Sequence, residues 1–589
     1  VTTLTEPTTF ERGLALPSVP QPRLARASLV VGSYVVLAVA YFWGTLHHPA
    51  GHLVGSPGDP SLFVWYLRWV PWAIAHGHNP LFSKWLDAPA GVNLMWNTSL
   101  ILPGLILAPV TALFGPVVTY NVLAAAALAL SGSTTYLALR RVCALRPVAS
   151  WIGGLVFAFS PFMVAQSLGH PHLTLAMFVP ILAIAVHEIA IGQRWRPWQG
   201  GVLVGAVAAA QFLTGEELLA ITALALALGL LALAVLHRDT VVAYRVRHFG
   251  AALPWAVVAF AVLAGGPLAF QLLGPQHVTG PLQPADLYVA DLTSFVVPTR
   301  LQLLHTAGSL AVAQRWSSRG AEWSAYLGPL LVIGLAVVVW QRRRRGVVAA
   351  GVVVVALMIG ALGPHVRVDG HHTSVPMPWS LAKHIPLLDS LLPVRLMVAV
   401  DLVLAGLVAL AIDRLLALPR AGLRRGGTAL VLLALVPLLP RMPFPSPRIS
   451  TPPFFRSAAE DGIPMGSFVV IAPNPEPRNV ATMRWQAVAG MRFRMAGGYA
   501  LVPGPDGKPS FVGPLTPIRA VLIQLQNGVP LARMGRPVID AVREDLLVEQ
   551  ATAVIVGPMA YQNRVVAFFT TVLDRLPDRV GGVYLWPLT

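Results

Sequence analysis

Residues Ser56–Ser99 read SPGDPSLFVWYLRWVPWAIAHGHNPLFSKWLDAPAGVNLMWNTS. They follow the first apolar span and precede every other membrane-like run. An early acid, Asp59, stands among Trp, Tyr, His, Arg and Pro. The mixture is too polar to cross lipid and too aromatic for a slack linker. It is expected to lie along one membrane face, and it divides the chain into an anchor before it and a helical bundle after it.

The surrounding composition supports that division. The 589 residues are 55% hydrophobic and 11% charged, with mean hydropathy +0.66. A soluble protein carries about 25% charged residues, so this chain is solvated by lipid. The net charge of +17 does not imply nucleic acid, because much of the Arg sits in short runs between apolar spans, as cytoplasmic loops require. One cysteine, Cys143, excludes an intrachain disulfide and a Cys-rich metal site.

Residues 1–27 are polar and Pro-containing and are expected to be a cytoplasmic tail. The first span runs from Ser28 to about Thr45. No small-residue cleavage site follows it, so it is expected to stay as an anchor. Residues 46–117 form a long first outer loop. Within it Leu100–Phe114 is apolar but short and interrupted by Pro103 and Pro109, so it is expected to be re-entrant or surface-lying. Further crossings fall at 118–139, 148–165, 173–191, 199–213, 217–236, 250–273, 325–341, 346–363, 395–413 and 427–440. The basic loops Gln193–Trp198, His237–His248, Gln341–Arg345 and Arg414–Arg425 then share one side. The expected fold is an α-helical polytopic membrane protein of about eleven spans over 28–441, in the plasma membrane with its N-terminus cytoplasmic. Residues 442–589 begin with a Pro-rich linker. They continue with β-like runs at Phe468–Ala472, Ala553–Val556 and Val583–Trp586 and amphipathic helices at Arg519–Gln526 and Val538–Glu549. They predict an extracytoplasmic α/β domain.

Sorted by side, the unusual polar residues collect on the outer face. These are Asp59, then His170 and His172 in SLGHPHL, then Glu216 and Glu217 in TGEEL. Two later loops add Asp286, Asp291, Arg300, Arg315, Arg319 and Glu322, and His371, His372, Asp389 and Arg395. Ionisable groups held beside a bilayer are a functional hypothesis by default. Asp59-Pro60 reads as an ordinary helix cap or as a general base for an acceptor hydroxyl, and one geometry serves both. His170 and His172 read as loop polarity, as phosphate contacts, or with Glu216 as ligands of a divalent ion such as Mg or Mn. Glu216 and Glu217 suit a helix N-terminus or substrate. Arg300, Arg315, Arg319 and Arg395 suit a lipid-linked phosphate or snorkel to headgroups. Trp65, Trp69, Trp72 and Trp85 read as an interfacial belt. Gly497-Gly498 and Gly581-Gly582 read as turns.

GDPSLFVWYLRWVPWAIAHGHNPLF, GVNLMWNTS, SLGHPHL and LLPVRLMVAVDL, in this order and sidedness, resemble the GT-C superfamily of integral membrane glycosyltransferases. The resemblance covers the membrane part. It implies a polyprenyl-phosphate-linked sugar donor, inverting transfer, Asp59 as catalytic base, and a glycan, glycolipid or protein of the cell envelope as acceptor. Gly58 stands where many members have a second acid. Two other readings predict different features. A lipid-linked glycan transporter or flippase predicts internal repeats and mid-span charges; Asp401 is the one residue that fits it. A non-catalytic assembly protein predicts scattered outer polar groups.

Overall fold

The computed structural model describes residues 24–236, 240–385, 388–456, 462–477, 479–513 and 515–588. The expected tail up to residue 23, and His237–Asp239 of one basic loop, lie outside them.

Among the described residues seven helices are long and apolar enough to cross a membrane: Pro116–Arg141, Pro147–Gln166, Pro171–Gly192, Glu216–Leu236, Val246–Leu273, Pro393–Leu416 and Ala421–Leu438. Ala27–Tyr41, Pro329–Trp340 and Arg345–Ala361 are shorter apolar helices. The expected span at 199–213 is the 16-residue helix Pro197–Phe212. Gly201 and Gly205 face the backbone of Ala252 and Ala256, where a Cβ would come within 2.2 Å of a carbonyl oxygen. Small residues four apart let two membrane helices touch backbone to backbone. The partner helix runs Thr240–Leu273, longer than expected, because its helix continues into the basic segment ahead of the apolar run. Leu100–Phe114 does not form one continuous helix. It forms two short helices, Ile101–Ile106 and Ala108–Phe114, broken at Leu107.

Pro393–Leu416 is the most buried of the seven and the axis of the bundle. Near its end Asp413 lies 3.3 Å from Arg146, while Arg141 and Arg194 each lie 3.2 Å from the buried Glu188. Basic loops are thus tied together at one end. Asp401 is also buried, and its Oδ2 accepts the N–H of Phe162 at 3.2 Å. It secures the start of the helix Pro161–Gln166, a structural use for a mid-span acid.

The C-terminal region holds a five-stranded sheet. Its strands are β1 (Ser467–Ala472), β2 (Phe493–Met495), β3 (Ala553–Val556), β4 (Asp578–Val580) and β5 (Val583–Pro587). Their order is β4-β5-β3-β1-β2, with β1 parallel to β2 and β3 and the rest antiparallel. Gly581-Gly582 makes the β4–β5 turn, both residues at positive φ, as a two-residue hairpin demands. The expected helices are present as Pro517–Gln526 and Arg536–Val548.

This sheet is not separate from the first loop. Met495 N–H donates to Trp85 O and Ala88 N–H to Met495 O, both at 3.1 Å, and Asp87 N–H to Gly497 O at 3.4 Å. Residues 85–88 therefore run along the free edge of β2. The helix Asp59–Ala75 packs against the helix Ala481–Val488. Trp65 Nε1 donates to Gln486 Oε1 at 2.5 Å, and Trp85 Nε1 to Met491 O at 2.7 Å. Trp65 and Trp69 stack at 5.3 Å and are 0% and 1% exposed. The tryptophans expected in an interfacial belt are thus the buried seat of the C-terminal region. The Pro-rich linker is equally committed: Leu53 and Gly55 donate to Pro447 and Pro445 carbonyls, and Ile449 donates to Gly51.

Candidate active site

A cavity of about 1580 Å³ opens at the end of the bundle against which the C-terminal region sits. Its wall includes Asp59, His170, His172, Glu216, Glu217 and Arg395. Arg300 and Arg319 line it too, as do Glu322, Tyr288, Arg441 and, from the C-terminal region, Tyr499. Arg315, expected with them, lies elsewhere. Its guanidinium is 2.5 Å from Asp369, and that exposed pair neutralises it. His371 and His372 belong to the exposed strand His371–Pro376, which pairs with His365–Val368, and neither lines the cavity.

Glycines bring the loops together. A Cβ on Gly169 would sit 3.2 Å from that of Asp59, and one on Gly215 would sit 3.1 Å from that of His172. The SLGHPHL loop therefore passes Asp59 on one side and the TGEEL hairpin on the other at a separation tighter than an ordinary Cβ contact, which the two glycines accommodate without displacing a neighbour.

Asp59 starts its helix, but Gly58 is the cap and the Asp59 side chain caps nothing. The carboxylate instead faces the cavity, 35% exposed, with Oδ2 3.3 Å from His170 Nε2. Burial raises its pKa. The hydrogen bond and charge of His170, the Tyr499 hydroxyl and the Arg395 charge outweigh burial and hold it below the ordinary value. On the other side of the ring, His170 Nδ1 lies 2.5 Å from Gln166 Oε1. The orientation of that amide follows from its neighbour, because Gln166 Nε2 donates to Glu322 Oε2 at 3.2 Å. Both His170 nitrogens thus face oxygens of neighbouring side chains.

Arg395 is the hub behind this row. Its Nη1 is 2.5 Å from Glu217 Oε2 and its Nη2 is 2.6 Å from Glu322 Oε1. Glu322 is 4% exposed. Burial alone would raise its pKa, and Arg395 and then His170 bring it below normal. Glu216 faces Thr98, whose hydroxyl lies at 3.5 Å. His172 is buried against Phe63, ring centroids 5.4 Å apart.

A divalent ion does not suit these donors. Among the described residues no three His, Cys, Asp or Glu side chains converge as a metal set. Both His170 nitrogens are already occupied by Asp59 and Gln166, and the carboxylates of Glu217 and Glu322 already share a guanidinium. By contrast Arg300, Arg319 and Arg441 line the cavity with no carboxylate partner among the described residues; Arg300 lies over the Trp323 ring at 5.2 Å.

Residues 30–437 match the family described as Domain of unknown function (DUF6311). The chain belongs to the DUF6311 family. No curated protein sequence matches it. Its structure is similar to the cryo-EM structure of the arabinofuranosyltransferase AftD from Mycobacteria, with TM-score 0.58 and 16% identity, over 96% of this chain and 40% of that one. It is also similar to a crystal structure of the Archaeoglobus fulgidus oligosaccharyltransferase in complex with Zn and sulfate, with TM-score 0.51 and 14% identity, over 90% and 68% of the two chains. The DUF6311 chain thus spans less than half of the AftD chain. The likeness establishes a GT-C-type membrane fold with a sheet-containing C-terminal region.

Gln166, Tyr499 and Arg441 were not among the expected site residues, and Glu322 was named among the outer-face acids without a role of its own. Gln166 and Tyr499 carried none, because their roles come from neighbours distant in sequence.

Proposed function

We propose that this protein is an inverting membrane glycosyltransferase. It takes a sugar from a polyprenyl-phosphate-linked donor and gives it to a hydroxyl of a cell-envelope acceptor on the outer face. The observation that carries the reading is Asp59, backed by His170, in one cavity with arginines 300, 319 and 441, which have no carboxylate partner among the described residues.

The acceptor hydroxyl attacks the anomeric carbon while its proton passes to Asp59. The bond from that carbon to the phosphate oxygen breaks, and its electron pair leaves with the polyprenyl phosphate. The phosphate gains one negative charge, which Arg300, Arg319 and Arg441 meet; stabilising charge as it develops usually lowers a reaction barrier more than any other effect. His170 holds the Asp59 carboxylate in place. Phe212, Leu268 and Leu272 give the cavity an apolar wall for the prenyl chain. Arg395 does not meet the phosphate in this reading, because Glu217 and Glu322 already neutralise it.

The test is genetic and chemical together. A deletion strain is expected to lack a specific glycolipid or wall glycan by mass spectrometry. The wild-type gene should restore it, and Asp59→Asn, present in the membrane at wild-type level, should not. Restoration by Asp59→Asn removes Asp59 as base.

A further inference from the structure

We propose that Tyr499 and Phe511 form the acceptor subsite, and that the acceptor group presented to Asp59 is a sugar ring stacked on these two aromatic faces. The inference rests on the glycosyltransferase reading of the same cavity and names its acceptor class.

The two rings lie on a strap between Gly498 and Gly513 that crosses from the C-terminal region to the cavity. Both ends of the strap sit on one buried ion pair. Asp87 Oδ1 is 2.9 Å from Arg519 Nη1, and each side chain is 2% exposed. A Cβ on Gly498 would be 3.0 Å from Asp87 Oδ2, and one on Gly513 would be 2.7 Å from Asp87 Oδ1. The span between is tied twice more. The Asn97 side chain donates to Leu501 O at 3.0 Å and accepts from Leu501 N–H at 2.6 Å. Thr279 donates its N–H and its hydroxyl to Gly507 O at 3.0 and 3.2 Å. The strap is thus fixed at both ends and at two interior points, a rigid mount for Tyr499 and Phe511.

The mounted rings lie 5.8 Å apart with a 34° tilt, and both line the cavity that holds Asp59. Phe511 is 37% exposed. An aromatic face is electron-rich, so it attracts the slightly positive C–H face of a sugar. The hydroxyls then project from the edge of the sugar, and the Tyr499 hydroxyl, itself bonded to Asp59, keeps that carboxylate beside the aromatic pair. A cavity of about 1580 Å³ exceeds the roughly 300–1,000 Å³ of a site for one small ligand, leaving room for a second ring beside the donor head. A peptide acceptor fits less well. Extended peptides are commonly gripped by pairing with a free sheet edge, and the β2 edge is already taken by residues 85–88.

Full-length protein in lipid nanodiscs, without donor, is tested by saturation-transfer-difference NMR. The probes are a panel of methyl pyranosides and furanosides and a panel of Ser-, Thr- and Asn-containing hexapeptides. At least one glycoside is expected to receive saturation from aromatic protons. Phe511→Ala and Tyr499→Ala should each weaken that binding on the order of tenfold, while Phe511→Trp and Tyr499→Phe retain it. In a transfer assay Phe511→Ala should raise the acceptor KM and leave the donor KM alone. Absence of glycoside binding to wild type, binding indifferent to Phe511→Ala in protein that melts like wild type, or hexapeptide binding in its place overturns the proposal. Wild-type sugar transfer without glycoside binding sinks this subsite and spares the transferase reading. Glycoside binding that needs both rings, with no transfer from any polyprenyl-phosphate sugar, does the reverse.

Discussion

Arg395 holds two carboxylates at once, and this makes it the residue whose loss costs most. Glu217 and Glu322 are 15% and 4% exposed in their side chains. Arg395→Leu leaves Glu217 without its ion-pair partner and Glu322 with only His170, 3.8 Å away, and breaking a buried pair costs about 3–5 kcal/mol. A lowered melting temperature in detergent checks this, and Arg395→Lys should recover part of the loss by restoring the charge without the fork. Asp59 makes a prediction about pH. Its folded pKa lies below the ordinary 3.8, so it stays ionised as the pH falls from neutral to about 5. Its contribution to stability is present above its unfolded pKa and is lost as the pH falls through the folded one. The pH–rate profile should therefore show no acid limb from Asp59 above about pH 5; a limb centred near 6 contradicts the assignment. Much of this row was legible in sequence, because acids and imidazoles between apolar runs stand out. Arg315 was not separable from Arg300 that way. What distinguishes them is Asp369, and no local pattern shows that a partner will fold onto one arginine and not the other.

The elements were legible to the extent that periodicity and prolines fixed them. The spans at 217–236 and 395–413 are found within helices Glu216–Leu236 and Pro393–Leu416, since an uninterrupted apolar run leaves the backbone no other way to satisfy itself in lipid. Pro103 and Pro109 marked Leu100–Phe114 as broken. The helix Asp59–Ala75 was harder. Its tryptophans fit an interface as well as a core, and the surface that buries them, around Gln486, is some four hundred residues away in sequence. Trp65→Ala removes a fully buried indole and its hydrogen bond, at about 3–5 kcal/mol. Thermal melting should fall accordingly. Limited proteolysis should cut the C-terminal region faster than in wild type, and unchanged protection speaks against Trp65 as its seat.

At the scale of the molecule, the arrangement of charge gives a testable orientation. With Cys143 replaced by Ala the chain has no cysteine. Lys508→Cys, exposed on the strap, should then react with a membrane-impermeant maleimide in intact cells. Arg343→Cys, in the basic loop between two apolar helices, should react only after permeabilisation. The opposite pattern inverts the expected topology and removes the outer-face site. The division into bundle and sheet was readable from composition. Their joint cavity was not, because it depends on how two distant segments meet.

The backbone of residues 85–88 completes an edge of a sheet built from residues 467–587. Translation makes the early piece long before the late one, so this segment must wait, its amides bonded to water and its sheet partner missing, while the whole bundle is threaded into the bilayer. The last-made strands then close around it. A version truncated before residue 467 should be inserted normally yet remain visible to quality-control proteases, and co-expression of the missing part should rescue it only when both are delivered to one compartment.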